Sequence, residues 1–163
     1  MTEGAAVDPA AVASKAGVVR IEHVGAAAHV VLDSPANRNA LSGRLRTQLF
    51  DALAAAGADS RVRCVVLTHT GTVFCAGADL KEAQQASELL DTPSVPEIIA
   101  AIWECPKPVI AAVSGVVRAG GVGIVAACDI VIAADDVTFA CTEVNLGVVP
   151  AVISAVVLRR MMP

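Results

Sequence analysis

The stretch from Pro108 to Gly147, PVIAAVSGVVRAGGVGIVAACDIVIAADDVTFACTEVNLG, restricts the fold more than any other part of the chain. An apolar, β-branched run (Val109 to Val113) breaks at Ser114–Gly115, and three glycines follow at Gly120, Gly121 and Gly123. Only Ile124 to Cys128 separate the last glycine from Asp129 and a second apolar run, Ile130 to Ala134. A carboxylate, Glu143, closes the stretch. This order predicts strand, glycine turn, short helix, strand and acid. It brings unpaired backbone N–H groups at a helix start toward one titratable side chain.

The rest of the chain supplies the frame. Val18 to Val24 alternates apolar and polar residues, and Ala28 to Leu32 is apolar; with Gly25 between them they predict an antiparallel hairpin. Ser42 is placed to cap a helix in which Leu45, Leu49 and Leu53 repeat at helical spacing, ending near Gly57. Arg63 to Thr68 reads as a buried strand, and T-G-T-V-F-C-A-G as a loop. A helix is expected from Ala78 or Asp79 through KEAQQASELL. After a breaker at Thr92 to Pro96, a helix with Ile98, Ile99 and Ile102 on one face should reach Cys105. Strands at Val109–Val113, Asp129–Ala134 and Val137–Ala140 follow, and a helix from Ala151 to Met161 closes the chain. Strands that feed helices through glycine turns define an α/β chain.

Composition decides what fills such a frame. With 55% hydrophobic residues but only 2% aromatics, the core must be built from small and β-branched side chains. The longest uncharged apolar stretch, Val144 to Leu158, is interrupted by Asn145, Gly147 and Pro150. It falls short of a membrane span of roughly 18 apolar residues. The net charge of −4 comes without a concentrated basic face, which argues against nucleic acid as a partner. Five cysteines without a C-x-x-C pair fit reduced core residues of a cytoplasmic protein, not disulfides or zinc. His23, His29 and His69 have no ligand spacing, so no metal site is expected. Residues 1–16 carry early acids and no basic start ahead of an apolar block. They are expected to form a flexible N-terminal arm, not a signal peptide, on a single core spanning residues 17–163.

Two turns share a design: Gly77-Ala78-Asp79 and Ala119-Gly120-Gly121. Each delivers the chain from a strand into a helix start. Two N–H donors aimed at one point form an oxyanion hole, and Asp79 suits the cap of the first turn. Taken singly, each turn also reads as an ordinary capped helix start, and Glu143 as an exposed loop glutamate. Set among apolar segments, Glu143 alternatively suits general acid–base work. Gly121-Val122-Gly123-x-x-Ala126 matches a dinucleotide fingerprint. However, Ser114 to Gly120 intervene after the strand, and the helix is too short for a normal crossover.

Five segments resemble the enoyl-CoA hydratase/isomerase (crotonase) family. They are NRNALS (Asn37 to Ser42), FCAGADL (Phe74 to Leu80), PVIAAVSG (Pro108 to Gly115), AGG with ACDIVIA (Ala119 to Gly121, Ala127 to Ala133), and the run from Phe139 through EVNLGVVP to Pro150. The resemblance covers nearly everything from Val18 onward. It implies a spiral of ββα units, assembled as a homo-trimer or hexamer, that acts on acyl-CoA thioesters, with coenzyme A part of the substrate and no separate cofactor. Carried over position by position, Ala78 and Gly120 N–H groups form the oxyanion hole. Ala76, Ala78, Asp79, Leu80 and Lys81 line the coenzyme A path together with Gly120, and Glu143 is the second of the two family glutamates. The first falls at Gly123. The family implies an enoyl-CoA hydratase with Glu143 as acid and base, acting on a branched or methylglutaconyl-type substrate; G-G-x-G...E-V-x-L-G-x-x-P-A-x-I-S is shared with bacterial relatives of that assignment. The alternatives are a Δ3-Δ2-enoyl-CoA isomerase with one proton-shuttling carboxylate, or an inactive remnant that assembles with other chains. Family members continue well beyond the position of Pro163. The resemblance therefore implies a core lacking the C-terminal helical part, with the apolar faces of its last elements uncovered.

Overall fold

The computed structural model describes residues 17–83 and 91–160. The expected N-terminal arm, the continuation of the KEAQQASELL helix and the end of the last helix at Met161 lie outside the described residues. Val19–Val24 (β1) and Ala27–Leu32 (β2) form the expected hairpin, in register from Val19↔Leu32 to Val24↔Ala27. Gly25 turns it with φ +58°. Gly43–Ala58 (α1) follows; the Ser42 side chain accepts the Leu45 N–H, and Leu45, Leu49 and Leu53 are buried.

From there the chain repeats one step three times. Cys64–His69 (β3) leads to Val73–Cys75 (β4), then Leu80–Ala83 (α2) and Val95–Trp103 (α3). Val109–Val113 (β5) leads to Val116–Arg118 (β6) and Gly120–Ala127 (α4). Ile130–Ala133 (β7) leads to Phe139–Ala140 (β8), a 3₁₀ turn at Thr142–Leu146 and Ala151–Arg160 (α5). The first strand of each pair joins a five-stranded sheet, β1-β2-β3-β5-β7, parallel except for the hairpin. The second joins a parallel three-stranded sheet, β4-β6-β8. This is the crotonase-like spiral of ββα units.

Two of these strands correct the sequence reading. T-G-T-V-F-C-A-G is not all loop, because it contains β4; the break after Ser114–Gly115 holds β6. The third helix stops at Trp103, short of Cys105, and starts on a capping box. Ser94 Oγ accepts the Glu97 N–H while the Glu97 carboxylate accepts the Ser94 N–H. The Ser94 hydroxyl, which donates to the same carboxylate at 2.6 Å, and then the Ser94 N–H hold the Glu97 carboxyl below the usual range.

The core lies between the sheets and α1, α3 and α4. It is aliphatic, as the composition requires: Phe74 is fully buried, whereas Phe50 and Phe139 are exposed. Ile130, Val131 and Ile132 on β7 and Val148 and Val149 before α5 are also exposed. Among the described residues no helix is long and apolar enough to cross a membrane.

Two side chains tie the passages between the sheets. Asn39 is fully buried and satisfied: its Oδ1 accepts the Ser34 N–H, and its Nδ2 donates to the carbonyls of Thr70 and Val73. It thereby holds the β3–β4 connection against the loop before α1. His69, at the end of β3, meets Phe74 edge-on with ring centroids 5.4 Å apart. Its Nε2 accepts the Ser114 N–H at 3.2 Å. A Cβ on Gly115 would come within 2.6 Å of the Thr72 carbonyl oxygen and 2.7 Å of the His69 ring, which accounts for the Ser–Gly break.

Replacing Asn39 by Ala strands three backbone groups. It should lower the unfolding free energy by roughly 3 kcal/mol in denaturant titration. Burial lowers the pKa of His69 from 6.5, and an unprotonated Nε2 is needed to accept from Ser114. Its contribution to stability is therefore complete above the unfolded value and declines as pH falls through it. Thermal unfolding followed from pH 7.5 to 5.5 should show this loss, and His69→Gln should flatten it.

Candidate active site

The two strand-to-helix turns are built by lacing. Beyond β4, the Ala76 N–H donates to the Arg38 carbonyl at 3.1 Å and the Gly77 carbonyl accepts the Leu41 N–H at 2.8 Å. Leu41 and Ala78 form a parallel bridge. Gly77 adopts φ +91°, a region that a side chain strains. Asp79 is the expected cap: its Oδ1 accepts the N–H groups of Lys81 and Glu82. Glu82 in turn accepts the Gly43 N–H at 2.7 Å and caps α1. None of these bonds engages the N–H of Ala78.

Beyond β6, the Ala119 N–H donates to the Ala140 carbonyl at 2.9 Å, and Ala119 adopts φ 48° and ψ −123°. Glycine takes this conformation readily, whereas alanine bears strain there. Gly120 then opens α4, where its N–H has no carbonyl one turn earlier in the helix. The glycines here permit close approach. A Cβ on Gly77 would lie 2.7 Å from the Ala119 Cβ, one on Gly120 2.8 Å from Leu41 Cδ1, and one on Gly121 2.7 Å from the Cys75 Cβ. The two turns therefore touch.

Glu143 comes from the third unit, in the 3₁₀ turn that Gly147 ends with φ +72°. Its Oε2 is buried and has no hydrogen-bond partner among the described residues. Ala76, Ala78, Leu80, Gly120 and Glu143 line one cavity of about 220 Å³. Asp79 and Lys81, expected along the same path, do not line it. Asp79 is turned back into its cap, and Lys81 is exposed.

Several cavity-lining residues escape the sequence reading. Leu146, Val152 and Ile153 form an apolar wall of the cavity. Ile153 also reaches Gly123 across the α4–α5 contact: a Cβ at Gly123 would meet Ile153 Cγ2 at 2.5 Å and Ile99 Cδ1 at 3.0 Å. The P-A-V-I-S run carried that signal, but its contact with a glycine far back in the chain was not legible. The same packing disposes of the dinucleotide fingerprint, whose glycines lie inside α4 with no room for a phosphate.

The arrangement brings two helix-start turns and a carboxylate with one unpartnered oxygen to a largely apolar cavity. That set can stabilise a carbonyl oxygen taking on charge and move a proton beside it. Burial pushes the Cys75 thiol up to about 12, and that of Cys128 likewise to about 12. Among the described residues, no three His, Cys, Asp or Glu side chains gather to hold a metal.

Comparison with known proteins agrees with the fold and with the motifs. A protein of Escherichia coli described as 2,3-dehydroadipyl-CoA hydratase is 37% identical over 124 residues, 74% of this chain and 48% of that protein. A Mycobacterium tuberculosis protein described as (7aS)-7a-methyl-1,5-dioxo-2,3,5,6,7,7a-hexahydro-1H-indene-carboxyl-CoA hydrolase is 39% identical, over 77% of this chain and 51% of that one. The crystal structure of an enoyl-CoA hydratase from Mycobacterium avium superposes with a TM-score of 0.77 at 42% identity, covering 91% of this chain and 59% of that one. The chain thus spans between 48% and 59% of the length of these relatives. The enoyl-CoA hydratase/isomerase family model matches residues 22–163, in keeping with the spiral of paired strands, and the chain belongs to that family.

Proposed function

We propose that this site binds an acyl-CoA thioester and works through an enolate, with the N–H groups of Ala78 and Gly120 holding the thioester oxygen and Glu143 moving the proton. One observation carries the reading: the buried, unpartnered Glu143 Oε2 lines the same cavity as both helix-start turns. In the hydratase form, water adds at C3 of a 2-enoyl thioester and its proton goes to Glu143. The double-bond electrons move onto the oxygen, and Glu143 then returns a proton to C2. The names of the E. coli and M. avium relatives support this form. A branched or carboxylated acyl group is the proposed substrate class.

A second reading has its own observation. In two-acid hydration a carboxylate from the Gly123 position helps to hold the water, and here Ile153 and Ile99 occupy that space. A single carboxylate suffices for isomerisation: Glu143 removes a proton from C2 of a 3-enoyl thioester and returns it at C4. The whole protein is proposed to act as a homo-oligomer, trimeric or hexameric. The exposed apolar residues of β7 and of the segment before α5 support association. A chain that binds acyl-CoA but neither exchanges, hydrates nor isomerises it would be the inactive, assembling remnant.

Glu143→Gln should lower turnover of the active substrate by about 10²- to 10⁴-fold while leaving acyl-CoA binding intact. Full retention of the rate would remove Glu143 from the mechanism. Gly77→Ala forces a Cβ onto Ala119 and strains the turn. It should cost about 2 kcal/mol of stability and, by misaiming the Ala78 N–H, about 10²-fold in kcat, measured by unfolding and by steady-state kinetics.

A further inference from the structure

Two side chains of the cavity wall can hydrogen-bond, and they are neighbours in sequence. Thr142 and Glu143 both line the cavity, whereas every other lining position is an aliphatic residue or Gly120. Both open the 3₁₀ turn, and both are partly buried. That turn is held at each end. Ahead of it, the Ala140 carbonyl accepts the Ala119 N–H at 2.9 Å, which fastens it to the second helix-start turn. Behind it, the Glu143 carbonyl accepts the Val148 N–H at 3.3 Å, and Gly147 closes the turn in the left-handed region. Threonine hydroxyls commonly bond to nearby backbone. The Thr142 hydroxyl has no hydrogen-bond partner among the described residues, so the local fold does not use it.

We propose that the Thr142 hydroxyl holds the water that adds at C3, and then the 3-hydroxyl group that this water becomes. The inference rests on the hydratase form of the reading above. A water held in a largely apolar cavity needs at least two polar partners. The unpartnered Glu143 Oε2 is one, and Thr142 Oγ1 is the other side-chain partner that the wall offers. A hydroxyl oxygen has two lone pairs with which to accept. The water donates one hydrogen to Glu143 and the other to Thr142, which leaves its own lone pairs free. One lone pair forms the bond to C3 while the C2–C3 π electrons move toward the thioester oxygen. The O–H bond facing Glu143 breaks, and its proton passes to the carboxylate, which then returns a proton to C2. The O–H bond facing Thr142 survives as the hydroxyl of the product. Thr142 itself neither gains nor loses a proton. Removal of a proton from C2 consumes no water, so that step does not call on Thr142.

The experiment compares the unaltered chain with Thr142→Val, which keeps the shape and removes the hydroxyl, and with Thr142→Ser, which keeps the hydroxyl. Thr142→Ala serves if the valine variant does not fold. Hydration of a 2-enoyl-CoA and deuterium exchange at C2 of a saturated acyl-CoA are read as rates. The Kd values of a 3-hydroxyacyl-CoA and of the saturated acyl-CoA are read beside them. In Thr142→Val, kcat for hydration should fall roughly five- to tenfold, in line with the loss of one hydrogen bond, while exchange stays within about twofold. The Kd of the 3-hydroxyacyl-CoA should rise by a similar factor, and that of the saturated acyl-CoA should not. Thr142→Ser should restore hydration and the affinity for the 3-hydroxyacyl-CoA. An unchanged hydration rate in the folded valine or alanine variant overturns the inference, as does an equal loss of hydration and exchange; the acyl-CoA reading then stands. An unaltered chain that exchanges but does not hydrate has the same meaning. If the unaltered chain shows neither reaction, the acyl-CoA reading fails and this inference with it.

Discussion

The contact between Gly77 and Ala119 is the constraint on which the site depends. Two strand-to-helix turns from successive units of the spiral meet with no room for one further carbon atom between them. Only glycine at 77 allows that approach, and Ala119 carries backbone strain to complete it. The surrounding bonds make the strained arrangement the only one available. Leu41 and Arg38 fasten the first turn, Ala140 fastens the second, and Asn39 anchors the loop from which Arg38 and Leu41 come. Strain of this kind persists where neighbouring structure over-determines it.

Around that contact the protein uses small residues where a larger protein would use aromatic ones. Three glycines at the start of α4 let it settle against β4, Leu41 and α5 at backbone distance. The close approach leaves little volume to fill, so a core of Ala, Val, Leu and Ile closes without tyrosine and with one buried phenylalanine. Buried polar groups are correspondingly few and specific. Asn39 is fully bonded, whereas the Glu143 carboxylate keeps one oxygen unbonded inside the cavity. A fully satisfied buried amide fixes structure; an unsatisfied buried oxygen in a cavity is available for chemistry.

Much of this was legible from residues alone, where the signal is local and periodic. Leu45, Leu49 and Leu53 announced α1, the β-branched run Val109 to Val113 announced β5, and Asp79 announced its cap. The two three-residue strands β4 and β6 were not legible, because V-F-C and V-V-R become strands through their neighbours and not through any pattern of their own. The positive φ of Ala119 carries no sequence signal, since alanine is the wrong residue to expect there. Asn39 carries no local signal of its role, because two of its three partners, Thr70 and Val73, lie in a distant segment. The Gly123–Ile153 fit is invisible for the same reason: a missing side chain and an intruding one gain meaning only when two helices cross.

The pairing of strands across two sheets has one more consequence. The small sheet runs β4, β6, β8, and each strand leads within two or three residues to one cavity-lining residue: Ala78 after Cys75, Gly120 after Arg118, Glu143 after Ala140. The three groups are thus mounted on adjacent rungs of one ladder, whose rungs lie about 4.8 Å apart by backbone hydrogen bonding. Their separation is inherited from the sheet and does not depend on the lengths of the loops and helices on the far side of each turn. The spacing of Ala78, Gly120 and Glu143 thus follows the spacing of the strands that lead to them.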